Sequence, residues 1–119
     1  MELSFPARYR IRRPADFDRA YRLRQRASDE VLLVFGFPNG LEITRLGLSV
    51  SRKVGGAVER QRWKRRIREA FRCQRHELPV GLDLIVLPKA HDHPPFKTLA
   101  SSLAKLTRQV AYKLSGQRR

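Results

Sequence analysis

The chain has 119 residues, with 26 Lys+Arg against 11 Asp+Glu and a formal net charge of +15. That length suits one domain, and so strong a positive field implies an acidic partner, nucleic acid ahead of an anionic membrane surface. One cysteine excludes an intramolecular disulfide framework and a Cys-rich zinc finger; no stretch approaches the roughly 18 apolar residues of a membrane span, and Met1–Ser4 lacks the build of a signal peptide, so a soluble intracellular domain is expected.

The first expected helix starts near Pro14, a residue suited to a first helical position, and runs to about Arg24. Phe17, Ala20 and Tyr21 share one of its faces. Val31 to Phe37 reads as a strand, closed by Pro38-Asn39-Gly40, and a second strand is expected from about Leu41 to Val50. Asn39-Gly40 between two such runs predicts a hairpin. A short strand before Val31 has no clear signal, and Asp29-Glu30 reads as a solvated loop. After Gly55-Gly56 a helix is expected over about Ala57 to His76. Stepping 100° per residue gathers Trp63, Ile67, Ala70 and Phe71 into one apolar stripe. Arg62, Lys64, Arg65, Arg66, Arg68 and Arg72 sweep the rest. Leu82 to Leu87 reads as a buried strand, and His91 to Pro95 as a loop. The last helix starts near Pro95, where Phe96, Leu99, Leu103, Leu106 and Val110 recur at spacings of 3, 4, 3 and 4. Residues 115–119 are expected to fray. These elements predict an α+β two-layer sandwich, one domain over residues 1–119.

A protein active site has no support. The chain lacks the phosphate-binding loop, the paired-histidine helix motif and the nucleophile elbow, and its carboxylates are scattered. His91-Asp92-His93 and the Cys73/His76 pair invite a metal reading, but adjacent side chains rarely converge on one ion, so loop and helix roles are expected. Cys73 has no redox partner and reads as a small helix residue. Ten of the residues from Arg52 to Arg75 are basic, and only Glu59 and Glu69 oppose them, so an external anion is expected to neutralise the block. Eight of the residues from Arg8 to Arg26 are Arg. Phe17 and Tyr21 sit in that segment, and two readings stand side by side. They anchor the helix to the sheet, or they stack the bases of a single RNA strand.

The stretch from Arg45 to Glu69, RLGLSVSRKVGGAVERQRWKRRIRE, resembles the signature of the bacterial ribonuclease P protein subunit, R-x-G-L-S-V-S-[KR]-K-x-G-x-A-V-x-R-N-R-x-K-R-x-I-R-E. Pro14 to Tyr21 also resembles that family's P-x-D-F-x-x-[FY] segment. One position departs: Gln61 stands where the family has Asn. The resemblance implies a fold like ribosomal protein S5 domain 2, in the order αβββαβα with a left-handed βαβ crossover. It implies a cytoplasmic bacterial protein that binds a catalytic RNA and the 5′ leader of precursor tRNA, with no membrane and no obligate protein partner. In that family the RNA performs the cleavage, with Mg²⁺ expected at the RNA's active site and no metal assigned to the protein. Carried over by motif position, Arg60, Gln61, Arg62, Lys64, Arg65 and Arg68 are the set expected to face the catalytic RNA and its phosphates. Phe17, Tyr21, Ser49, Ser51, Arg52 and Lys53 are expected to line the leader cleft. The rival readings are a general RNA-binding protein of the ribosomal kind and a DNA-binding helix-turn-helix protein. The second is disfavoured because strands, not a short helix, precede the basic helix.

Overall fold

A strand buried on both faces organises the molecule. The structure is a computed structural model that describes residues 24–89 and 92–117. Four strands form one mixed sheet: β1 (Gln25–Ser28), β2 (Leu32–Pro38), β3 (Arg45–Leu48) and β4 (Leu82–Pro88), in spatial order β1-β2-β4-β3. Two helices, α1 (Ala57–Gln74) and α2 (Phe96–Gln117), pack on one face of it. The fold is α+β, and the order after residue 24 is βββαβα. The expected helix from Pro14 lies almost wholly outside the described residues.

β4 has β2 on one side and β3 on the other, which is why its sequence is an almost unbroken apolar run. It pairs antiparallel with β2, from Leu32 opposite Pro88 to Pro38 opposite Leu82, and parallel with β3, from Arg45 opposite Asp83 to Leu48 opposite Val86. The hairpin expected at Asn39-Gly40 is therefore not formed, because β4 separates β2 from β3. The turn residues serve a different loop. The Asn39 side chain accepts from the Leu41 amide (2.7 Å) and donates to the Ile43 carbonyl (3.1 Å) and to Asp83 (2.9 Å). That ties residues 39–43 to the start of β4 and delivers the chain into β3 on β4's far side. A parallel β3–β4 pair then needs a crossover, which α1 supplies.

The hairpin that does form joins β1 to β2, with Gln25 opposite Gly36 and Ser28 opposite Leu33. Its turn is built on Asp29, which is half-buried and not a solvated loop residue. Asp29 Oδ1 accepts from the amides of Val31 (2.8 Å) and Leu32 (3.0 Å). Its Oδ2 accepts from the Ser102 hydroxyl (2.6 Å) and pairs with Lys105 Nζ (3.1 Å), so the turn is stapled to α2. Burial alone would raise the carboxyl pKa, but the bonds from Ser102, the two amides and Lys105 prevail and lower it from 3.8 to about 2. A depressed carboxylate contributes stability that is present above its unfolded pKa and lost as pH falls through the folded one. Asp29 accordingly adds about 2 kcal/mol at neutral pH. Urea unfolding of the parent and of Asp29→Asn is expected to show that gap at pH 6, with the gap closing between about pH 4 and pH 2.

The inner face of the sheet and the two helices share one core, with Leu32, Val34, Leu84 and Val86 against Trp63, Ile67, Phe71, Leu99, Leu103, Leu106 and Val110. Each large apolar side chain buried there contributes roughly 1.5–3 kcal/mol. Both predicted stripes are thus the buried faces, except that Phe96 stays 38% exposed and Leu114 takes its place at the other end of α2. Gly36 sets how closely α2 approaches. A Cβ there would lie 2.8 Å from Val110 Cγ1. α2 continues through residues 115–117, where fraying was expected, and the Ser115 hydroxyl donates to the Tyr112 carbonyl. The opposite sheet face carries a second cluster of Phe37 and Ile85, flanked by Phe35 and Leu87.

Candidate nucleic-acid interface

The basic block is shaped by two short elements. Ser49 leaves β3 with its amide still bonded to the Val86 carbonyl (3.1 Å). A 3-10 turn over Arg52–Val54 follows, capped by the Ser51 hydroxyl, which accepts from the Lys53 amide (2.9 Å). Gly55 then adopts φ of 139°, a conformation that side chains rarely take, and a Cβ there would stand 2.7 Å from Glu59 Cβ. This glycine lets the chain swing from the turn into α1. Ser49, Ser51, Arg52 and Lys53 are all exposed and lie beside the N-terminal end of α1. The segment expected to line the leader cleft is thus contiguous with the helix expected to meet the catalytic RNA.

Along α1, Gln61, Arg62 and Arg65 are exposed, and Arg60, Lys64 and Arg68 are half-buried. Two cations that share the predicted basic sweep are turned inward instead. Arg66 donates to the Pro94 carbonyl (2.6 Å) and faces His93 Nδ1 (3.3 Å), so it holds the loop that precedes α2. Arg72 binds Glu69 one turn earlier. That bond is the first cause lowering the Glu69 pKa and raising that of Arg72. Glu69 also accepts from Cys73 Sγ (3.2 Å), and this bond, with burial, pushes the thiol pKa up. Cys73 is therefore held as a thiol, which suits a helix residue and not a nucleophile.

Both acids of the block are engaged inside the protein. Glu59 bonds His93 Nε2 at 2.9 Å, and the His93 ring stacks on Trp63 with centroids 4.4 Å apart. With Nδ1 facing a guanidinium, the proton belongs on Nε2, where it donates to Glu59. His93 and Trp63 are thus structural, and among the described residues no group of three or more His, Cys, Asp or Glu converges on a metal position. His91 lies outside the described residues, as do Phe17 and Tyr21. The result is an outward face of α1 that presents Arg62 and Arg65 to solvent. Among the described residues, Arg62 and Arg65 have no protein partner.

Two contributors escaped the sequence reading. Val58 is 80% exposed in the first turn of α1, one turn before Gln61 and Arg62, an apolar side chain at the N-terminal end of the cationic face. Its signal was an apolar residue off the buried stripe. On the outer sheet face, the Arg24 guanidinium lies 5.5 Å from the Phe35 ring centroid. Phe35 was legible only as part of an apolar run, and its outward direction follows from strand alternation. No helix among the described residues is long and apolar enough to cross a membrane.

The Ribonuclease P family model matches residues 5–111. A ribonuclease P protein component from Desulfovibrio desulfuricans is 40% identical over 117 residues, covering 93% of this chain and 89% of its own length. The solved ribonuclease P protein of Thermotoga maritima is 30% identical, with a TM-score of 0.77 over 85% of this chain and 96% of its own. That of Staphylococcus aureus is 31% identical, with a TM-score of 0.73 over 85% and 94%.

Proposed function

The chain belongs to the ribonuclease P protein component family, and from that premise we propose that it binds the 5′ leader of precursor tRNA while its α1 face grips the catalytic RNA. As a family member it is a subunit of an endoribonuclease holoenzyme and a partner of the ribonuclease P RNA. In the proposed division of labour, the RNA cleaves and the protein positions. Two polyanions must approach closely, and Arg60, Arg62, Lys64, Arg65 and Arg68 offset their repulsion on the RNA side, with Gln61 among them as a neutral hydrogen-bonding contact. Ser49, Ser51, Arg52 and Lys53, together with Phe17 and Tyr21, hold the leader strand by phosphate contacts and base stacking. Mg²⁺, held by the RNA and not by this chain, would supply charge stabilisation and an activated water there. The single observation that carries this reading is the exposed face of α1, where Arg62 and Arg65 have no partner among the described residues while both acids of the block are bonded within the protein.

The leader contact is tested with the double variant Phe17→Ala, Tyr21→Ala in reconstituted holoenzyme. Stacking is worth about 1–3 kcal/mol per base, so the affinity advantage of leader-bearing over leaderless precursor should fall by about 10-fold or more. An unchanged ratio would remove these two residues from the leader site.

A further inference from the structure

The exposed side of α2 carries a stripe that the family motif does not cover. Lys97, Ser101, Lys105, Arg108 and Tyr112 recur at spacings of 4, 4, 3 and 4, so they align along roughly 22 Å of one helix face. All five are exposed, on the side away from the buried Leu99, Leu103, Leu106 and Val110. α2 has four cations, the fourth being Lys113, and no acidic residue over its whole length. A solvated helix face ordinarily mixes signs, because i,i+4 pairs stabilise it. Here nothing on the helix compensates. Lys97 stands in the first turn, where the helix dipole disfavours a cation and no acid accompanies it.

The charges are also available. Among the described residues Lys97 and Arg108 have no protein partner, and Lys113 donates only to the neutral Arg26 carbonyl. Lys105 is the exception, its charge being paired with Asp29. A depression of about 350 Å³ between Lys97 and Lys105 is lined by Thr98, Ser101 and Ser102, with Val31 and the Lys105-paired Asp29 at its other side. At the far end of the stripe Tyr112 is 80% exposed, one turn beyond Arg108. Cations with hydroxyls at fixed spacing and one exposed ring match a sugar-phosphate backbone with an accessible base.

We propose that this α2 stripe is a second contact surface for the catalytic RNA, beside the α1 face. The inference rests on the reading that α1 meets that RNA. Both helices form one layer on the same sheet face, so an RNA seated on α1 extends naturally over α2.

The experiment measures binding of a bacterial ribonuclease P RNA across monovalent salt for four full-length proteins: parent, Lys97→Gln/Arg108→Gln, Tyr112→Ala and Arg62→Gln/Arg65→Gln. Thermal unfolding checks that each folds like the parent. The α2 double variant is expected to bind about 10-fold more weakly near 0.15 M salt, with the log–log salt slope reduced by about 2. Tyr112→Ala, which changes no charge, is expected to bind at least about 5-fold more weakly. If the α2 double variant keeps the parent affinity and slope while Arg62→Gln/Arg65→Gln loses both, the α2 inference fails and the α1 reading survives. If neither double variant changes anything, the α1 reading fails and takes the inference with it. If the α2 double variant keeps its RNA affinity but its holoenzyme binds precursor tRNA more weakly, the stripe contacts the precursor and the proposal is overturned.

Discussion

Replacing Arg62 and Arg65 together by Gln is expected to lower affinity for the ribonuclease P RNA by about 100-fold near 0.15 M salt. Both side chains are exposed on α1 and have no protein partner among the described residues, so their charge is not needed for folding. A hydrogen bond to a charged group is worth about 1.5–3 kcal/mol, and two such contacts account for the loss. Each phosphate contact also releases counterions, so the log–log salt slope should become shallower by about 2. The discriminating control lies one face away. Arg72 already binds Glu69, so Glu69→Gln/Arg72→Gln removes a cation and an anion that neutralise each other. That variant should bind within about two-fold of the parent, because it leaves the summed charge of the face unchanged. Filter binding over a salt series reads both quantities.

Arg45→Ala is expected to unfold the protein about 10–20 °C earlier, through a loss of about 3–5 kcal/mol. Asp83 lies on the central strand with no exposed surface, and Arg45 on the neighbouring β3 grips it through Nε (2.7 Å) and Nη2 (2.5 Å). Asn39 provides a further bond at 2.9 Å. Removing the guanidinium leaves a buried carboxylate without its counter-charge, and that is the expensive way to break such a pair. Replacing both partners, as in Arg45→Leu/Asp83→Leu, should recover most of the loss. The first Arg of the motif therefore locks the parallel register of β3 on β4, and through it the position of Ser49 to Lys53. RNA affinity of the folded Arg45→Ala protein, measured well below its Tm, should fall far less than that of the Arg62/Arg65 variant.

The parts of the fold legible in the sequence were those with a local period. The stripe of Trp63, Ile67, Ala70 and Phe71 repeats every three or four residues, so its burial could be read directly. The pairing of strands could not. Asn39-Gly40 marks where the chain turns, but which strand it returns to depends on β4, some forty residues later. β1 is short and carries Gln25 and Arg26, so nothing in its composition marks a strand. Asp29 reads as solvated because its partners Ser102 and Lys105 are more than seventy residues away. The same limit governs the site. A helical wheel places Arg62, Arg65, Arg66 and Arg72 on one sweep, yet Arg66 is claimed by His93 and Pro94 from a loop beyond β4. The motif resemblance supplied the residue set that spacing alone left too broad.

The most direct measurement is reconstitution. The purified protein is mixed with a bacterial ribonuclease P RNA at low Mg²⁺, and release of the 5′ leader from precursor tRNA is followed against RNA alone and protein alone. The account predicts efficient cleavage only when both are present, with the requirement for the protein easing as Mg²⁺ is raised. A protein that adds nothing to the RNA at any Mg²⁺ concentration, with two ribonuclease P RNAs of different architecture, would contradict it.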